Sequence, residues 1–191
     1  MLRRVFRFLQ LLCENDNQEM KKYVFSQTNE QGVVKYMSVN FIELAIHLVL
    51  QISSFTEKQL KLGAPSQEIG ANLLETIIFI MDFLIEVCQY PAIKNQMYLC
   101  NTDFFNLLTL LPNFASLRPA DRQLASVIFR IERKVVLLLR GLLEERNSEI
   151  ILMVSKKMEC SHLKYLIESS LNSIGVTSRQ ELLSYLQAKE E

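Results

Sequence analysis

LLETIIFIMDFLIEVC, Leu73–Cys88, is the longest apolar stretch of the chain, and its reading decides the fold. Leu73, Ile77, Ile80, Leu84 and Cys88 recur at the three-to-four spacing of one helical face, with no period-two alternation. Glu75, Asp82 and Glu86 interrupt it, so the stretch is a core helix and not a bilayer span. The helix is expected from about Gln67 to Gln89, where Pro91 disfavours helix in the residue before it.

The same period recurs on both sides. Leu2, Val5, Phe6, Leu9 and Leu12 predict a first helix to about Cys13, broken by NDNQ, with a short helix through EMKKYVFSQ. Val39 to Ile52 predicts a second long helix ending near Ser53. KLGAPSQ supplies the clearest linker, about 61–66. Downstream, helices are expected at about Ile93–Cys100, Asp103–Leu111 and Asp121–Arg146, with PNFASLRPA as a loop. Three short helices follow, near Glu149–Met158, Ser161–Leu171 and Ser178–Lys189, the last opened by a Ser178/Glu181 capping box. The expected fold is all-α, a single domain of antiparallel helices in an armadillo-like solenoid or bundle.

Composition agrees. Half of the 191 residues are apolar, and five Gly and four Pro leave few tight turns. The 21 basic and 21 acidic residues cancel, which argues against nucleic acid or an anionic membrane surface as partner. Cys13, Cys88, Cys100 and Cys160 form no CxxC pair and read as reduced, buried thiols. The start in mid-helix pattern and the QAKEE end suggest a piece of a larger protein. His47 and His162 have no partner at metal-ligand spacing, and His47, inside an apolar helix, reads as structural. No phosphate loop, dinucleotide fingerprint, nucleophile elbow or calcium loop is present, so no enzyme is expected.

What remains is a set of acids in awkward places. Glu14 follows the last residue of the first helix, where the helix dipole disfavours negative charge. Asp82 and Glu86 are like charges four apart, with no Lys or Arg one turn away. Each is either a solvated polar position or a ligand awaiting a cation.

Two stretches carry a resemblance. FRFLQLLCENDNQEMKKYV, Phe6–Val24, resembles the opening of the receptor-homology-associated domain shared by inositol trisphosphate and ryanodine receptors. FLIEVCQYPAIKNQ, Phe83–Gln96, resembles that family's LTEYxQGPCxxNQ phrase, and VVLLLRGLLEERNSE is a weaker third match. The CEN and CQ pieces lean towards the inositol trisphosphate branch. The resemblance implies a cytosolic regulatory domain of an intracellular calcium-release channel at the endoplasmic reticulum or another calcium store. The parent channel would be a homotetramer, and this domain would contact other domains of the same chain. It also implies that Glu14 and Glu86 bind the activating calcium, completed by a carbonyl from a C-terminal domain. Gln89 would help hold the second carboxylate, with Asp16 and Asp82 as supporting acids. The family's His is Asp16 here, and its Gly and Cys are Tyr90 and Ala92. Two alternatives stand beside this reading: a purely structural solenoid layer, and an adaptor that docks a partner helix in an apolar groove.

Overall fold

The computed structural model describes residues 1–29, 31–61, 67–89, 91–116, 122–144 and 146–173. It is all-α. The helices are α1 (Leu2–Cys13), α2 (Gln18–Phe25), α3 (Phe41–Lys61), α4 (Gln67–Cys88), α5 (Ile93–Asn101), α6 (Asn106–Ser116), α7 (Arg122–Leu143), α8 (Ser148–Lys157) and α9 (Cys160–Ser173), with a 3-10 turn at Asp103–Phe105 before α6. Among the described residues the only extended pairing is a single bridge between Thr28 and Val34.

α4 is the hub, packed by α1, α3, α5 and α7. Its apolar side is wider than the single stripe of the sequence pattern. Leu74, Ile77, Ile78, Ile80, Met81, Phe83, Leu84, Val87 and Cys88 are all buried, because partners lie on several sides. α7 covers α4 with Leu124, Ile128, Ile131, Val135, Leu138 and Leu142, the face the periodicity predicts.

α1 lies along α4 in the same direction. Near its start, Arg3 donates to Glu75 at 2.8 Å and to the Thr76 hydroxyl at 3.2 Å. In its middle, the Phe6 ring meets Phe83 with centroids 5.7 Å apart. The C-terminal ends of α1 and α4 therefore finish together. Asn15 and Asp16 then turn the chain in the left-handed region, with φ of 58° and 56°. Asn and Asp tolerate that conformation better than most residues. Asn17 caps α2 through its side-chain oxygen on the Met20 amide, and its Nδ2 donates to the Leu12 carbonyl at 3.1 Å.

Several expectations change. α3 runs to Lys61, past Ser53, since the buried Ser53 and Thr56 continue its packed face. The stretch expected as a loop after Leu111 is helical through Ser116 with Pro112 inside. Burial of Leu107, Leu108 and Leu111 outweighs the roughly 3 kcal/mol that an interior proline costs. Cys13, Cys88 and Cys100 are buried free thiols, but Cys160 is exposed at the start of α9. His47 is exposed on α3 instead of lying in the core. The linker at 62–66, Tyr90, and the last predicted helix with its capping box lie outside the described residues.

Candidate cation site at the junction of two helix ends

The end of α4 is held by side chains that follow it in sequence. Asn95 donates through Nδ2 to the Val87 carbonyl at 2.9 Å and to the Lys21 carbonyl at 3.2 Å. Gln96 donates through Nε2 to the Cys88 carbonyl at 2.7 Å. Both side chains are buried, so the bonds to Val87 and Cys88 answer carbonyls that an α-helix leaves without partners at its C-terminus. Asn95 also ties α2 to α4.

Into this junction comes Lys21. It is 1% exposed, with its ammonium 3.4 Å from Asp16 Oδ1 and 3.5 Å from the Gln89 carbonyl. Burying an ammonium costs several kcal/mol unless negative groups surround it. Here they do. Neither α1 nor α4 has a basic residue in its last turn, so both negative helix ends are uncompensated from within.

Glu86, in the last turn of α4, feels all of this. Burial pushes its carboxyl above the ordinary range, the Lys21 ammonium pulls it back down, and the Glu14 and Asp16 charges raise it again. Glu14 and Asp16 are thus within electrostatic reach of Glu86, although 86 − 14 = 72 positions separate the two glutamates. Glu14 is about one-third exposed, 3.6 Å from Arg7, and accepts from Gln10 Nε2 at 3.4 Å. Cys13 lies against the same group. Its thiol is raised to about 11, chiefly by burial, with Lys21 lowering it and Glu86 raising it.

The other acids are engaged elsewhere. Asp82 pairs with Lys134 of α7, and Glu75 with Arg3 of α1. The helix-local view lacked these partners because they arrive from other helices. Gln89 gives its main-chain carbonyl to Lys21, while the residue also lines a groove with Ile85, Leu137, Arg140, Gly141 and Glu144. Among the described residues, no three His, Cys, Asp or Glu side chains are grouped so as to hold a metal ion. Glu14 and Asp16 thus lie within electrostatic reach of Glu86 and beside Lys21, without forming a grouped set of metal ligands.

Sequence reasoning passed over Lys21, Asn95 and Gln96. A signal existed for Lys21, which sits three before Val24 on the inward face of an amphipathic helix, where a lysine is out of place. Asn95 and Gln96 stand in the IKNQ of the second family phrase without an assigned role.

No helix of the described residues is long and apolar enough to cross a membrane. None of the curated proteins matches the chain. The profile of the RyR and IP3R Homology associated family matches residues 1–111, which span α1 to most of α6 and hold every residue of the acidic junction. The chain thus belongs to the RyR and IP3R Homology associated family, the helical domain found in ryanodine and inositol trisphosphate receptor channels.

Proposed function

We propose that the chain is a regulatory and coupling domain of an intracellular calcium-release channel. In this reading Glu14 and Glu86 give two carboxylates to an activating calcium site. The remaining ligands come from another domain of the channel, on the cytosolic side of a calcium store. One observation carries the reading: two glutamates 72 positions apart lie at the joined C-terminal ends of parallel helices, close enough for the Glu14 charge to bear on Glu86.

The donor chemistry fits. Calcium takes six to eight oxygens, carboxylates foremost, and the junction offers carboxylates from two helix ends and a turn. A bound divalent ion would supply charge that Glu14 and Glu86 share. Few ligands make a weak site, so the affinity depends on the partner domain. Coupling follows from that dependence, because an arrangement that brings the partner's ligands to Glu14 and Glu86 is favoured by calcium over one that does not. The rigid connection to the rest of the domain is α4, whose end Asn95 and Gln96 fix to α2 and α5.

Single-channel recording tests this. In the channel that contains the domain, Glu86→Gln should raise the half-activating calcium concentration at least tenfold while the folded domain keeps its helical content. Unchanged calcium activation in both Glu14→Gln and Glu86→Gln would remove the site and leave a structural layer that transmits motion by packing.

A further inference from the structure

Lys21 is a charged side chain nine-tenths buried or more, and no single acceptor holds it. A charge-assisted bond from an ammonium to a carboxylate is typically about 2.7–2.9 Å. Here the contacts to Asp16 and the Gln89 carbonyl are 3.4 and 3.5 Å. Glu86 is also near enough for the Lys21 charge to act on it. The group is therefore placed like an ion among several oxygens, not like one half of a tight pair. A lysine ammonium suits this position, being a compact point charge with three donors.

The geometry points to Lys21 as the resident cation of the acidic junction, a covalently tethered charge that holds the ends of α1 and α4 together without a metal and that a divalent ion must work against. This rests on the reading of Glu14 and Glu86 as cation ligands and adds what sets their affinity. With Lys21 in place, three acids and one ammonium leave a net charge near −2; without it the same oxygens carry −3. Lys21 thus stabilises the metal-free arrangement and weakens the response to calcium.

Two measurements on the whole chain test it. The first is a melting cycle in chelator. Glu86→Gln should raise Tm more in a Lys21→Gln background than in the parent chain, since the acids then lack their counter-charge. Equal shifts in the two backgrounds would overturn the resident cation. Should Lys21→Gln fail to fold, Lys21→Met keeps the apolar stem and runs the same cycle. The second is titration with calcium chloride, followed by carbon NMR of the side-chain carboxyls. Lys21→Gln should bind at least tenfold more tightly than the parent, with the Glu86 signal shifting. Equal affinity, with Glu86→Gln weakening both chains, overturns the role of Lys21 and keeps the acids as ligands. Binding that ignores Glu86→Gln overturns the acids as ligands and with them the competition; no binding by Lys21→Gln overturns the competition and leaves the acids to the channel recordings.

Discussion

Asn95→Ala should be the most damaging small polar change near the site. The side chain is 4% exposed and its one amide nitrogen serves two carbonyls, Val87 at 2.9 Å and Lys21 at 3.2 Å. One lies at the end of α4, where Pro91 offers the Val87 carbonyl no amide, and the other in α2, where the Lys21 carbonyl keeps its helical bond from Phe25. A buried acceptor left without a partner costs about 1–3 kcal/mol. The Val87 carbonyl is the one so stranded, which puts the loss at about 1–3 kcal/mol. For a domain of this size, each kcal/mol moves Tm by about 2–4 °C, so a fall of about 2–12 °C is expected. Differential scanning calorimetry on the 191-residue chain, with Asn101→Ala as an exposed control, would read it. Asn101 donates a single bond to the Met97 carbonyl within its own helix and should move Tm by little. A fall of less than 2 °C for Asn95→Ala, or an equal fall for the control, would refute the claim that Asn95 ties α2 to α4.

Three further outcomes are expected. Phe83→Ala removes a fully buried ring packed on Phe6 and should cost about 3–5 kcal/mol in urea unfolding, with m unchanged. The raised carboxyl of Glu86 predicts a pH dependence: protonation favours the fold, so its contribution is fully present below the unfolded value near 4.3 and is lost as pH rises through the folded value. The Tm advantage of Glu86→Gln over the parent in chelator should accordingly be near zero at pH 4 and grow towards pH 7; a constant offset would contradict the shift. Finally, a disulfide reagent at pH 8 should modify one thiol quickly, Cys160, because burial raises Cys13 and Cys100 to about 11 and Cys88 higher still. Rapid labelling of more than one thiol in the native chain would show that the core opens on that timescale.

The helices were readable because their signal is local. Apolar residues three and four apart mark α1, α4 and α7 whatever those helices pack against. The boundaries failed where tertiary contact outvoted local chemistry. Pro112 argues for a loop, yet Leu107, Leu108 and Leu111 are buried on the same helix, and the Leu111 carbonyl accepts from the Tyr165 hydroxyl at 3.2 Å. The buried Glu132 of α7 was equally invisible. It accepts from Tyr165 and Ser169 of α9, more than thirty positions away, and no spacing rule announces such a partner.

The acids of the junction show a different limit. That Glu14 ends a helix and Glu86 ends another can be read from the chain; that the two ends coincide depends on α1 and α4 running parallel, which Arg3–Glu75 and Phe6–Phe83 fix only in three dimensions. Parallel packing adds the two negative helix ends instead of cancelling them, as antiparallel packing would. Such a place repels more acid and calls for positive charge, yet it holds Glu14, Asp16 and Glu86. The chain carries all three and buries Lys21 beside them, and the proposed competition between that lysine and a divalent ion rests on this crowding of charge.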